Sequence, residues 1–294
     1  MQKGIGTYDI DIQKEETGRF IVNIYTKTCE DMTDEVNKIQ KIETILEKVL
    51  KEKVSMKSQK NGVNGESTKV LQTYISEDKF KLEVGIAKEK KQNSEVSGDS
   101  TLKLKLEDGK MLIALSDGMG SGKEAQKSSS TAIKMVKKLF AAGFDKKTAL
   151  ELVNQGISAK TKEEGFATLD ISIFDLFVGS SEIIKSGACP TFVKTGKEVQ
   201  IIKGNSLPAG MLSKADTIIF DKDIKQGDIF VMCSDGILDA NQEAINKEEE
   251  LRTLISNIST TQVQKIADII LKEAIDKGFG NKKDDMTVIA IKII

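Results

Sequence analysis

The sequence contains no histidine and only two arginines, Arg19 and Arg252, among its 294 residues. The first absence removes the commonest general base, the histidine-based catalytic triads and most zinc sites. The second leaves bidentate anion clamps almost unavailable. The three cysteines, Cys29, Cys189 and Cys233, are far apart and form no CxxC pair, which argues against a zinc site or a disulfide framework and fits a reducing compartment. No apolar run approaches the roughly 18 residues of a membrane helix, and the first residues do not read as a signal peptide. Neither sign of charge dominates: 44 basic and 45 acidic residues are interspersed, so no nucleic-acid footprint is visible. An enzyme made from this composition must work with carboxylates, lysines, hydroxyls or metal ions.

What is present comes into focus at residues 112–126, LIALSDGMGSGKEAQ. An apolar run enters a loop with three glycines and a lysine, as in a nucleotide-phosphate loop. That pattern needs four residues between its first glycine and the Gly-Lys pair, followed by Ser or Thr. Here three residues separate Gly118 from Gly122, and Glu124 follows Lys123. The dinucleotide fingerprint fails too, because Lys123 stands where its third glycine belongs. The loop is therefore not a nucleotide cradle, and attention moves to Asp117.

Residues 18–25 read as a strand, and 31–53 as a helix with Val36, Ile39, Ile42, Ile45, Leu46 and Val49 at helical spacing. Residues 57–67 are polar and glycine-bearing, the texture of a linker. Strands are expected at 79–87 and 101–106, with a turn at Asp108-Gly109 leading into the apolar strand before Asp117. Helices follow at 122–140 and, capped by Asp145, at 145–157. Further strands are expected at 168–178, 181–186, 198–203, 217–221 and 229–233, then an amphipathic helix at 260–278 and a last strand, MTVIAIKII. GACPTFV, with Cys189 and Pro190, reads as a packed turn. Many short antiparallel strands with inserted helices indicate an α+β sandwich, not a parallel βαβ sheet.

Two segments echo one another: LIALSDGMG and IFVMCSDGI both run an apolar strand into Ser-Asp-Gly, at Asp117 and Asp235. Asp99 precedes the strand whose hairpin partner delivers Asp117, and Asp284-Asp285 opens the last strand. A single Asp-Gly is a turn signal. Four acids at strand ends, in a chain without histidine, are a different matter, because clustered carboxylates do not all stay ionised without cations. All-oxygen donors select Mg²⁺ or Mn²⁺ over Zn²⁺.

The succession SGDS, SDGMGSGKEA, FATLDISIFDL, SGACPTFVK, LPAGML, VMCSDGILDA and DDMTVI resembles the metal-dependent type-2C (PPM) Ser/Thr protein phosphatases, and within them the bacterial sporulation branch. The resemblance covers about residues 68–294. It implies an αββα sandwich of two antiparallel sheets flanked by helices, preceded by a regulatory segment at 1–67. It implies two Mn²⁺ or Mg²⁺ ions bridged by Asp117, with the Gly118 carbonyl on one ion, Asp235 and Asp284 on the other, and Asp99 orienting bound water. Asp117 and Asp235 are then the catalytic acids. Asp285 stands where many relatives carry Asn, which leaves the choice between the two adjacent acids open.

The same resemblance implies hydrolysis of phosphoserine on a phosphorylated anti-sigma-factor antagonist, and thereby control of a sporulation sigma factor. It adds a cell-division protein as partner, a cytoplasmic location, and a membrane-spanning region upstream of this chain. The 31–53 helix suits a homodimer or regulatory contact, expected against the 122–157 helices. Two other readings remain: a stress-response phosphatase of the same fold, and a non-catalytic scaffold that retains the acids structurally.

Overall fold

The computed structural model describes residues 6–29, 31–63, 66–120, 122–160 and 165–294. The chain divides into two compact units, Met1–Lys79 and Phe80–Ile294.

In the first unit, β1 (Thr7–Lys14), β2 (Phe20–Lys27), β3 (Val54–Val63) and β4 (Glu66–Ser76) form an antiparallel sheet in the order β1-β2-β4-β3. Helix α1 (Met32–Leu50) begins at Asp31, whose side chain accepts the Thr33 N–H, and ends at Lys51 in the left-handed region. It covers one sheet face: Ile42 and Leu46 pack with Val22, Ile24, Val54 and Tyr74. The apolar seam read from the sequence is therefore divided. Its Ile39-Ile42-Leu46 stripe serves the unit's own core, while Val36, Ile45 and Val49 are exposed within the chain.

The polar stretch read as a linker at 57–67 is instead most of β3 and the start of β4; Asn64 and Gly65 lie outside the described residues. Because β4 pairs with both β2 and β3, the division between units falls at Lys79/Phe80 and not at 67/68. β1 was not foreseen; its apolar Tyr8, Ile10 and Ile12 alternate, but all three are exposed.

The second unit contains two five-stranded antiparallel sheets. One has the order β11 (Glu198–Ile202), β10 (Thr191–Thr195), β13 (Ile229–Cys233), β14 (Met286–Ile293), β5 (Leu82–Glu89). The other runs β12 (Ile218–Asp223), β9 (Ser180–Ser186), β8 (Leu169–Asp175), β7 (Met111–Asp117), β6 (Asp99–Lys105). Helices α2 (Gly122–Ala141) and α3 (Lys146–Lys160) pack on the second sheet. Helices α5 (Lys247–Asn257) and α6 (Val263–Lys277) pack on the first, and α4 (Asp235–Leu238) is a single turn after β13.

This layering explains the continuous apolar runs. Strand residues alternate between faces, and both faces of the central strands are covered. In β7, Leu112 and Ala114 meet the helices, whereas Ile113 and Leu115 enter the core between the sheets. In β14, Val288 and Ala290 meet α6, and Ile289, Ile291 and Ile293 join the inter-sheet core. Phe174 and Phe230 meet edge to face there, with ring centroids 5.1 Å apart. The αββα arrangement is the one expected. GACPTFV, read as a turn, contributes β10 from Thr191 onward. Among the described residues, no helix is long and apolar enough to cross a membrane.

Candidate metal centre

Asp99 opens β6 and Asp117 closes β7, and the two stand opposite one another in the antiparallel register. The other sheet supplies Asp235, the first residue after Ser234 at the end of β13, and Asp284, just before β14. The apolar strands are pinned by burial on both faces, so their terminal acids sit on a rigid rim. Asp99 is buried; Asp117, Asp235 and Asp284 are half-buried.

Ser234 joins the sheets. Its Oγ donates to Asp99 Oδ2 at 2.8 Å and accepts the Thr287 N–H at 2.9 Å, tying β6, β13 and β14 together. Thr168 does comparable work for Asp117: its Oγ1 accepts the Asp117 N–H at 2.9 Å, and its own N–H donates to the Asp117 carbonyl at 2.8 Å. Sequence reasoning passed over both residues. Ser234 lies inside the repeated Ser-Asp-Gly, the one signal that pointed to it.

The adjacent acids near the last strand separate cleanly. Asp285 is buried, and its oxygens accept the backbone N–H groups of Lys91 (3.0 Å) and Gly98 (2.8 Å). It fastens the connection between β5 and β6. Asp284 instead lines an open cavity with Gly236. Backbone approaches are close enough to require glycine at two points. A Cβ on Gly118 would lie 1.9 Å from the Ala125 carbonyl oxygen of α2, and one on Gly236 would lie 2.2 Å from the Asp285 carbonyl oxygen. Of the loop leading into α2, Ser121 lies outside the described residues. Lys123, which follows it, pairs with Glu95 in a highly exposed contact.

Burial, and then repulsion from Asp99, Asp235 and Asp284, pushes the Asp117 carboxyl up to about 9. Burial also raises Asp99 to about 6, and burial with repulsion from Asp284 raises Asp235. Among the described residues, Asp99 Oδ1 and Asp235 Oδ1 are buried with no hydrogen-bond partner. Oxygen-only donors, unpartnered buried carboxylate oxygens and mutual repulsion together fit hard divalent cations. Among the described residues no three acidic or sulfur side chains close into a ready-made cage. Cys189 is held a thiol by burial, which pushes its pKa well up.

The SpoIIE family, stage II sporulation protein E, matches residues 107–294, well over half of the chain. The chain belongs to this family. The SpoIIE match takes in Asp117, Asp235 and Asp284 and leaves Asp99 outside. The chain is 32% identical over 252 residues to stage II sporulation protein E of Bacillus subtilis (strain 168), covering 86% of this chain and 30% of that protein. It is 30% identical over 295 residues to the Priestia megaterium protein, covering 99% and 49%. The chain thus spans less than half the length of either relative. Its fold superimposes on the solved PP2C phosphatase domain of Bacillus subtilis SpoIIE with a fragment of its regulatory domain. The TM-score is 0.76 and the identity 28%, over 99% of this chain and 84% of that one. The second unit has the fold of that PP2C phosphatase domain, and phosphatases of that class are metal-dependent.

Proposed function

We propose that the chain hydrolyses phosphoserine or phosphothreonine on a regulatory protein. The observation that carries this reading is the placement of Asp99, Asp117, Asp235 and Asp284 at one rim, delivered by two different sheets. Two Mn²⁺ or Mg²⁺ ions would be held by Asp117, Asp235, Asp284 and the Gly118 carbonyl, with Asp99 beside them. Bound there, such ions neutralise phosphoryl charge and bring the pKa of a coordinated water into the neutral range. The chain's own groups do the positioning. Ser234 fixes one Asp99 oxygen, while Thr168 holds the Asp117 backbone. With no histidine in the sequence, no imidazole is available to protonate the departing serine alkoxide.

The substrate is a phosphorylated anti-sigma-factor antagonist, and its dephosphorylation releases a sporulation sigma factor on the cytoplasmic side of a membrane-anchored protein. Residues 1–79 act as a regulatory unit, with a homodimer or a cell-division protein as the contact they serve. Similarity over 99% of the chain to a SpoIIE fragment that includes regulatory sequence supports this over a free-standing stress phosphatase. Intact acids at all four positions disfavour a non-catalytic scaffold. The test is Mn²⁺-dependent release of phosphate from a serine-phosphorylated antagonist protein. Absence of turnover in Mn²⁺ and in Mg²⁺ would refute the enzyme reading.

A further inference from the structure

Beside Asp284, a cavity of about 280 Å³ opens between the α4 turn, the end of α6 and the approach to β14. Asp239, Asn241, Glu243, Phe279, Lys283 and Asp284 are among its walls. Two of its charges are already matched. Asp239 pairs with Lys247 at 2.7 Å, and Lys277, at the same mouth, pairs with Glu250. Lys283 is different: it is exposed, its Nζ donates to Gln242 Oε1 at 2.9 Å, and no carboxylate lies within ion-pair distance of it among the described residues.

Phe279 is the second unusual group. It follows α6 with a φ of +54°, a left-handed conformation that bulky side chains seldom adopt and that helix ends normally assign to glycine. The local sequence offers glycine on either side, at Gly278 and Gly280, yet places phenylalanine at the strained position. Phe279 is 89% exposed and is one of the residues lining the cavity. A strained backbone that presents an uncovered aromatic ring gains nothing for the core. Such strain persists at sites that engage ligands.

We propose that this cavity is the subsite for the polypeptide flanking the phosphorylated residue. Phe279 receives an apolar neighbour of that residue, and Lys283 contacts an anionic group of the substrate. The proposal rests on the phosphatase reading of the adjacent carboxylates. The anion has two sources, the phosphoryl group itself or an acidic neighbouring side chain. Glu243 and Asp284 on the same walls disfavour anions, so Lys283 is what makes the cavity acceptable to one.

Lys283→Gln and Phe279→Gly, made in the full chain, test it. Phe279→Gly relieves the left-handed backbone, so its thermal midpoint is expected to equal or exceed that of the parent, which separates lost binding from lost folding. With a serine-phosphorylated peptide carrying apolar and acidic neighbours, each variant should raise KM several-fold while kcat changes less than twofold. Lys283→Arg should restore KM. A matching loss of competitive inhibition by inorganic phosphate in Lys283→Gln assigns the anion as the phosphoryl group. Unaltered phosphate inhibition, with the KM effect confined to acidic-flanked peptides, assigns it as the neighbour. Unchanged KM in both variants, on a parent that turns over normally, overturns the subsite alone. A fall in Mn²⁺ affinity and kcat with KM unchanged in Lys283→Gln also overturns it, because Lys283 then acts only through Asp284. A parent with no phosphoserine turnover removes the phosphatase reading and the subsite together.

Discussion

Ser234 Oγ donates to Asp99 Oδ2 at 2.8 Å, a bond between residues 135 positions apart and between the two sheets of the sandwich. It holds the most buried acid of the cluster in one orientation. Groups that orient metal ligands in this way commonly change affinity by about 10- to 100-fold when removed. Ser234→Ala is therefore expected to weaken Mn²⁺ binding about tenfold. It should also lower stability by about 1–2 kcal/mol, since the Thr287 N–H loses its acceptor. Mn²⁺ titration and thermal unfolding report the two effects separately.

Asp117→Asn should abolish phosphoserine turnover while leaving circular dichroism unchanged. Asp117 is pushed up to about 9 by burial and neighbouring acids, so in chelator-treated protein it is already protonated at pH 7 and Asn replaces it nearly isosterically. Substantial residual activity would rule out a bridging role.

Chelator-treated protein should lose stability as pH rises. Asp99 and Asp117 have folded pKa values near 6 and 9 against an ordinary 3.8, so between those limits the folded state binds more protons than the unfolded one. The stabilisation is fully present below about pH 4 and is lost as pH passes through 6 and then 9. These two groups therefore tilt the denaturation midpoint downward from pH 5 to pH 9. Asp117→Asn should flatten the upper half of that slope, and saturating Mn²⁺ should oppose it. Parallel midpoints for parent and Asp117→Asn across pH 7–9 would show that Asp117 is not raised.

Beneath the cluster, Lys185 and Asp170 form an ion pair of 2.7 Å with both side chains buried, and Lys185 also donates to the Cys189 carbonyl and Thr191 Oγ1. Lys185→Met leaves an unpaired buried carboxylate and should destabilise the domain by about 3–5 kcal/mol. Adding Asp170→Leu should recover most of that loss, because buried pairs are often replaceable by apolar residues. A double variant no more stable than the single one would mean the pair itself is strongly stabilising.

Removing residues 1–79 should change Mn²⁺ affinity and turnover if the first unit regulates the second. The cut belongs at 79/80, since one at 67/68 would strand β4 without its partners. Equal affinity and turnover in the truncated protein would reduce the unit to a tether.

Much of this architecture can be read from side-chain pattern, and the failures have physical causes. MLIALS and MTVIAIKII announced central strands because both faces of β7 and β14 are covered. β3 was lost because its SQKNG segment, largely exposed, carries the residues of a linker. β10 was lost because Gly187 and Pro190 suggested a turn, and the strand begins immediately afterward at Thr191. The acids at strand ends were visible as motifs. The role of Asp285 was not, because only folding brings the Lys91 and Gly98 N–H groups to its oxygens. Ser234 and Thr168 act through contacts between distant strands, which no local pattern encodes.

The topology also sets an order in time. Asp99 and Asp117 belong to one sheet, whereas Asp235 and Asp284 belong to the other. In that second sheet β14 sits between β13 and β5, although it is synthesised about two hundred residues after β5. Until β14 inserts, β5 has no partner in its sheet, Ser234 lacks the Thr287 N–H, and Asp284 has no rim to stand on. A nascent chain therefore carries Asp99, Asp117 and Asp235 before Asp284 has its strand. The four acids stand at one rim only once β14 closes the sheet.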